Sequence, residues 1–156
     1  MKIYIGGKIS GSTYNECADY FKNTKKELED MGYEVFSPMT AKEYLRNNYE
    51  FRELPAAGLS GSISPISTNH AIFERDQWCV RNCDIFYLNL LPADKQASLG
   101  GTMELAWASI LGKHTVVSMQ KENIHRHAFI LEGADVIFET HEDAMLYLSK
   151  IIKQES

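Results

Sequence analysis

Asp84-Ile-Phe-Tyr-Leu-Asn-Leu90 is a nearly unbroken apolar run, as expected of a strand in the middle of a sheet that is covered on both faces. Apolar runs alternate with amphipathic stretches on both sides of it, which is typical of an α/β domain with a largely parallel sheet. The other predicted strands are residues 2–5, 33–36, 114–119 and 136–139. The predicted helices are residues 15–31, 71–83, 102–111 and 142–153. This pattern predicts a five-stranded, doubly wound domain.

Length and composition limit the class of protein. The 156 residues are 44% apolar, which fits one domain spanning 1–156. The net charge is -5, and no stretch is basic enough to bind a nucleic-acid polymer. No segment resembles a signal peptide or reaches the length of a membrane span, so we expect a cytoplasmic protein without membrane contact.

The three cysteines predict neither a disulfide framework nor a metal site. Their number is odd, and they lack the spacing of a zinc ribbon. Cys79 and Cys83 lie one helical turn apart, but no other ligands are spaced to complete a tetrahedral site. We therefore expect no metal.

Residues 51–69 contain Gly58, Gly61, Pro55, Pro65 and four serines, and they show no periodicity. A loop of this length inside a compact domain is usually functional or disordered. Two interpretations follow: a lid over the site, or a mobile insertion. The closeness of Asp76 favours the lid.

The segment that carries chemistry is Ser98-Leu-Gly-Gly-Thr-Met-Glu-Leu-Ala-Trp-Ala108, which follows the central strand and begins a helix. Open α/β sheets bind ligands at the carboxyl ends of their strands. Gly100 and Gly101 let a ligand approach the backbone, and the start of the helix offers free N–H groups to an anion. This arrangement can accept a phosphate.

Glu104 is the first candidate catalytic residue. In the predicted helix it lies in the first turn, where the dipole and the free amides would keep its pKa low. An ionised carboxylate can attack an anomeric carbon through a transition state that resembles an oxocarbenium ion. The alternative is an ordinary first-turn glutamate that only stabilises its helix.

Asp76 and Tyr4 are further candidates, each with an ordinary structural alternative. Asp76 lies on the helix before the central strand and could instead form a surface ion pair with Arg75. Tyr4 lies in the first strand, where alternation would make it part of the core. The histidines near loops are ambiguous, since single histidines there are more often solvated than catalytic; they are His70, His125 and His127.

Four stretches together resemble the nucleoside 2-deoxyribosyltransferase-like family. They are Lys2-Ile-Tyr-Ile-Gly-Gly-Lys-Ile-Ser-Gly11, Arg75-Asp-Gln-Trp-Cys-Val-Arg-Asn-Cys-Asp84, Gly100-Gly-Thr-Met-Glu104 and Asn123-Ile-His-Arg-His-Ala-Phe129. They occur in the family's order and cover most of the chain outside residues 51–69. The resemblance implies a flavodoxin-like doubly wound fold with a mainly parallel sheet and helices on both faces.

The resemblance also implies roles for particular residues. Glu104 matches the family's nucleophile, which takes the sugar. Asp76 matches the aspartate that binds the sugar and helps to protonate the leaving base. The aromatic hydroxyl that orients the nucleophile would come from Tyr4 or Tyr14.

Ser98 departs from the pattern of the transferases that act on free nucleosides, which carry an aspartate at this place. It resembles instead the 5'-monophosphate N-glycosidases, whose serine binds the phosphate. An aspartate would repel a phosphate, whereas a serine can donate to it. Gly101-Thr102, in contrast, is similar to the transferase version of the motif, so both activities stay open.

Residues of the first loop complete the predicted substrate site. Gly6 and Lys8, with Ser10 and Ser12, are expected near the phosphate beside Ser98, although solvated loop residues account equally well for the lysine and the serines.

The resemblance implies hydrolysis of the N-glycosidic bond of a (2'-deoxy)nucleoside 5'-monophosphate, or base exchange on a free deoxynucleoside. Two rival interpretations are a hydrolase that prefers ribonucleotides and a non-catalytic nucleotide sensor. No cofactor is expected, because the first Gly-Gly pair lacks dinucleotide-site spacing. The ligand would be a small nucleoside or nucleotide. The resemblance further implies a homo-oligomer, with residues 125–127 as candidates for contacts across subunits.

Overall fold

The computed structural model describes residues 1–7, 9, 12, 14–40, 42, 66, 68–91 and 97–154. Five strands and five helices alternate along this part of the chain. The strands are β1 (Lys2–Gly7), β2 (Glu34–Phe36), β3 (Ile85–Asn89), β4 (His114–Ser118) and β5 (Val136–Phe138). The helices are α1 (Tyr14–Met31), α2 (Asn69–Asn82), α3 (Leu99–Ile110), α4 (Ala128–Gly133) and α5 (His141–Gln154).

The strands form one sheet in the order β2-β1-β3-β4-β5. All four pairings are parallel, and β3 lies at the centre. This order is that of a flavodoxin-like doubly wound fold, so the predicted fold class and the predicted central strand are confirmed. The carboxyl ends of all five strands meet at one edge of the sheet, where this fold binds its ligands.

Strand β3 contributes to hydrophobic clusters on both faces of the sheet. Ile85 and Tyr87 pack in one cluster with residues of α1 and α5. Phe86 and Leu88 pack in the other cluster with residues of α2 and α3. Alternation along a strand directs successive side chains to opposite faces, which explains why the whole run is apolar. The second cluster also contains Tyr4.

Two helices differ from the prediction. Helix α3 begins at Leu99 instead of residue 102, because the Ser98 side chain caps it and accepts a hydrogen bond from the Gly101 N–H at 3.3 Å. Helix α4 was not predicted, because its six residues are too few to show a helical period. Gly100 and Gly101 therefore belong to the first turn of α3.

Most of the predicted lid lies outside the described residues, as do Lys8 and Ser10. At the end of the predicted loop the structure places Asn69 in α2, where Thr68 is the N-cap and accepts from the Ala71 N–H at 3.2 Å. The loop was therefore predicted slightly too long. A Thr N-cap typically stabilises a helix by about 1 kcal/mol.

Within the described ranges, no helix is long and apolar enough to cross a membrane. The same part of the chain holds no group of three or more His, Cys, Asp or Glu side chains arranged to bind a metal ion. The three cysteines, all within the described residues, are buried and form no disulfide.

Candidate active site

A cavity of about 250 Å³ opens at the carboxyl edge of the sheet. Its walls come from the ends of β1 and β2, from α2 and from the start of α3. The lining residues are Gly7, Ile9, Pro38, Lys42, Asn69, Ile72, Phe73, Asp76, Ser98, Gly100, Gly101, Met103, Glu104 and Trp107. Five of the predicted site residues are among them: Asp76, Ser98, Gly100, Gly101 and Glu104.

Glu104 is buried and lies in the second turn of α3, because the helix starts earlier than predicted. The hydroxyl of Tyr4 donates a hydrogen bond to Glu104 Oε1 at 2.7 Å. Tyr4 is fully buried and stacks on Phe86 with 5.5 Å between the ring centroids. Tyr4 thus belongs to the core and orients Glu104 at the same time. Tyr14, the first residue of α1, packs in the hydrophobic cluster that contains Ile85 and Tyr87, and it does not line the cavity.

The predicted low pKa of Glu104 was wrong. Burial, and after it the charge of Asp76, raise the pKa to about 8, although the Tyr4 hydrogen bond and the charge of Lys42 lower it. The free amides and the dipole at the start of α3 do not lower the pKa of Glu104 enough to offset burial. Their effect is confined to the first turn, and Glu104 lies in the second. The pKa of Tyr4 is also raised well above its usual value, by burial first and by the Glu104 charge second.

Asp76 enters the cavity from α2, and its ion-pair partner is Lys42. Its Oδ2 lies 3.8 Å from the Lys42 Nζ, and the two side chains are only 13% and 4% exposed. Its Oδ1 is buried without a hydrogen-bond partner in the described structure. Burial raises the pKa of Asp76, while Lys42 and Arg75 oppose this rise. A buried acceptor without a partner is suited to a hydroxyl of a bound ligand.

A series of hydrogen bonds connects the start of α3 to the residue that follows β3. It was not predicted from the sequence. The Ser98 N–H donates to His125 Nε2 at 2.7 Å, and His125 Nδ1 lies 2.7 Å from Asn123 Oδ1. Asn123 Nδ2 donates to the Leu90 carbonyl at 2.7 Å. His125 is thus buried against the capping residue of its own chain. His127 instead caps α4 by accepting from the Phe129 N–H.

Part of the lining of the cavity is apolar and aromatic. Phe73 and Trp107 meet edge to face, with 5.1 Å between their ring centroids. Ile72 and Met103 extend this part of the lining. A planar heterocycle could make apolar and π contacts with these residues while its polar atoms bind the polar groups of the same cavity.

Gly6 lies behind Glu104 and is not a lining residue. A Cβ at this position would lie 2.8 Å from the Phe86 ring and 3.2 Å from Glu104 Oε2. Gly6 therefore makes room for the carboxylate, and its contact with substrate stays a prediction. At Gly101 a Cβ would meet Leu88 at 3.0 Å, while at Gly100 it would meet nothing within 4 Å.

Among the lining residues that were not predicted from the sequence are Lys42, Phe73 and Trp107. Lys42 follows β2 in a stretch without periodicity, so nothing in the pattern distinguishes it from a solvated lysine. The two aromatic residues lie on helices where an apolar residue is expected to pack against the sheet. Their spacing from Glu104 forms no recognisable motif.

Comparison with family models and with curated proteins finds no match. Several solved structures are similar in fold. A 2-deoxyribosyltransferase from Bacillus psychrosaccharolyticus has a TM-score of 0.65 and 21% identity, over 93% of this chain and 90% of that chain. The CMP N-glycosidase BcmB from Clostridium botulinum has a TM-score of 0.53 and 16% identity, over 98% and 99%. BlsM has a TM-score of 0.58 and 18% identity, over 98% and 90%. At these identities the likeness is one of fold.

Proposed function

We propose that this protein is a member of the nucleoside 2-deoxyribosyltransferase-like family that hydrolyses the N-glycosidic bond of a (2'-deoxy)nucleoside 5'-monophosphate. The observation that carries the proposal is a buried carboxylate, Glu104, which is oriented by the Tyr4 hydroxyl and opens into the same cavity as Asp76. The similarity in fold to a 2-deoxyribosyltransferase and to a CMP N-glycosidase supports a reaction at the N-glycosidic bond.

In the proposed first step, a carboxylate oxygen of Glu104 attacks C1' of the sugar. The C1'–N bond breaks, its electron pair leaves with the base, and the base takes a proton from Asp76 directly or through water. Water then attacks C1' and gives its proton to Asp76, and the ester bond to Glu104 breaks. The products are the free base and the sugar 5-phosphate.

Two features of Asp76 support the role of proton donor. Burial raises the pKa of both Asp76 and Glu104, so the pair retains a proton, and the form that reacts is the one in which Asp76 holds this proton while Glu104 is ionised. The partnerless Oδ1 of Asp76 can also hold a hydroxyl of the sugar. The aromatic wall of Phe73 and Trp107 would contact the base.

The 5'-monophosphate is preferred over the free nucleoside because of Ser98. Its side chain is neutral, lines the cavity and caps α3, whose first-turn amides favour an anion. The arrangement of Ser98, His125 and Asn123 fixes this capping residue in place.

The test is the release of free base, measured by chromatography, from a panel of ribo- and deoxyribonucleosides and their 5'-monophosphates, with and without an added acceptor base. We expect release from monophosphates, about 10- to 100-fold faster in kcat/KM than from nucleosides, since hydrogen bonds to a charged group contribute about 1.5 to 3 kcal/mol. Turnover of ribonucleotides alone would redirect the proposal to a ribonucleotide hydrolase. Binding without any turnover would favour a nucleotide sensor.

Ser98→Asp and Ser98→Asn are the matched variants for this panel. Aspartate and asparagine both cap helices well, so the two differ mainly in charge. We expect the aspartate variant to lose the preference for monophosphates and the asparagine variant to keep it. Equal preferences in both variants would contradict a phosphate at Ser98.

The second candidate activity is transfer of the deoxyribosyl group to another base. The TM-score to the 2-deoxyribosyltransferase is higher than to the N-glycosidase, and Gly101-Thr102 is similar to the transferase motif. The same assay separates the two: new nucleosides that form only with acceptor base would show transfer.

The protein is further proposed to be a homo-oligomer, because α3 exposes an apolar stripe next to the cavity. Leu99, Met103 and Ile110 are 78%, 45% and 85% exposed and share one face of the helix with Ala106. Single exposed apolar residues are ordinary, but a stripe along one helix is typical of an interface. A second copy that covers this stripe would also border the cavity, since Met103 lines it.

Ile110→Glu tests this assembly. It is expected to weaken self-association at least about tenfold, because a charge would be buried at the contact. Analytical ultracentrifugation measures the change, and Ser109→Glu, also exposed on α3, is the matched control. A wild-type protein that sediments as a monomer at all concentrations would refute the oligomer.

A further inference from the structure

Lys42 is a buried cation inside the cavity, and the chemistry described above does not use it. Its side chain is 4% exposed, and its Nζ lies 3.8 Å from Asp76 Oδ2. It lines the cavity together with Glu104. A lysine side chain is rarely buried unless an anion is close enough to pair with its charge. Here the anions are the two carboxylates of the proposed reaction.

The charged and titratable groups around Lys42 come from three elements. Helix α2 supplies Asp76, with Arg75 and Cys79 beside it, α3 supplies Glu104, and β1 supplies Tyr4. Arg75 donates through Nη1 to the Ile66 carbonyl at 3.0 Å, and its charge lowers the pKa of Asp76 from beside it on the same helix. Among the described residues, Lys42 is the cation that forms an ion pair with Asp76, and its charge also acts on Glu104.

We propose that Lys42 is a positioning residue that holds Asp76 in the cavity and sets the pH at which the Asp76–Glu104 pair becomes competent for reaction. The inference rests on the proposed function, since it concerns the two carboxylates of that reaction. The ion pair engages Oδ2 of Asp76 and leaves Oδ1 for the ligand. Without the cation, two buried carboxylates would face each other with no opposing charge in contact.

The direction of the charge effect agrees with this geometry. Lys42 lowers the pKa of Asp76, and it also lowers the pKa of Glu104. Asp76 acts on Glu104 in the opposite sense and raises its pKa. Lys42 therefore counteracts the repulsion between the two carboxylates, and the pair loses its protons at a lower pH than it would alone.

The test compares Lys42→Met with Lys42→Arg in the pH profile of kcat/KM for base release. In the methionine variant, the acidic limb, where the Asp76–Glu104 pair loses its first proton, is expected to move to higher pH by about one unit or more, because Lys42 lowers the pKa of both groups. Arginine keeps the charge, so the limb should stay close to that of wild type. A merely structural role would lower the rate at every pH without moving the limb, and that result would overturn the proposal.

A second measurement is independent of turnover. Glu104 and Asp76 are titrated by carbon-13 NMR of their side-chain carboxyl groups in the free protein, with Glu104→Gln and Asp76→Asn for assignment. An upward shift of the Glu104 midpoint in Lys42→Met supports the role of Lys42 even if no substrate is hydrolysed. An unchanged midpoint overturns it even if the enzyme is active. Lys42→Gln, a second neutral variant, gives the same decision if the methionine variant does not fold.

Discussion

Glu104→Gln is expected to lower the kcat of base release by about 10³-fold or more, since removal of a nucleophile costs several orders of magnitude. The amide has nearly the shape of the carboxylate, and the Tyr4 hydroxyl can still donate to its oxygen. What the variant lacks is an anion that can form a bond to C1'. Affinity for the nucleotide should change little, so the loss should be in kcat.

The same substitution is expected to stabilise the folded protein. Glu104 has a pKa of about 8 when folded, against 4.5 for an ordinary glutamate. A raised carboxyl pKa means that the unfolded chain releases the proton first, so folding loses free energy as pH rises from 4.5 to 8. The difference grows to roughly 3 kcal/mol at about pH 7, at about 1.4 kcal/mol per pKa unit. Below pH 4.5 it should vanish.

Thermal unfolding as a function of pH measures the change in stability of Glu104→Gln, and the base-release assay measures its loss of kcat. Glu29→Gln, on the exposed surface of α1, is the control that should change neither. A glutamine variant that retains most of the activity would rule out Glu104 as the nucleophile. A variant that unfolds at the same temperature as wild type at every pH would contradict the raised pKa.

The fold was largely predictable because its signal is local. An apolar run such as 84–90 is typical of a strand covered on both faces, and the alternation around it indicates a doubly wound sheet. The start of α3 was misplaced because glycines are typical of a loop, whereas in the structure the Ser98 cap compensates for them. That shift of three residues moved Glu104 out of the first turn, where the dipole would have lowered its pKa.

The cavity was predictable only in part, because its balance of charge depends on contacts between distant segments. Glu104 and Asp76 stood out as carboxylates near the edge of the sheet, and both line the cavity. Lys42 and the desolvation of Glu104 could not be inferred, since burial of a polar side chain is a property of the packed structure. The helix dipole can be inferred from the sequence. Burial, which has the larger effect on the pKa of Glu104, cannot.

Asp76→Asn is expected to lower kcat/KM by about 10²- to 10⁴-fold, the range that a general acid contributes. The asparagine can still accept a hydroxyl, but it cannot protonate the departing base. In the carbon-13 titration, Glu104 should also ionise at lower pH in this variant, because the charge of Asp76 raises the pKa of Glu104. This shift is opposite in direction to the one expected for Lys42→Met.

An N7-methylated purine nucleotide separates proton donation from binding, because its base departs as a neutral molecule without a proton. If Asp76 acts as the acid, the asparagine variant should recover most of its kcat/KM on this substrate, because kcat/KM reports the departure of the base and not the later attack of water. It should remain slow on the unmethylated substrate. Asp30→Asn on α1, with its carboxylate 65% exposed, is the control for loss of a charge. An equal loss on both substrates would limit Asp76 to holding the sugar. The proton would then have to come from another group in the cavity, such as Lys42, which contacts Asp76 directly.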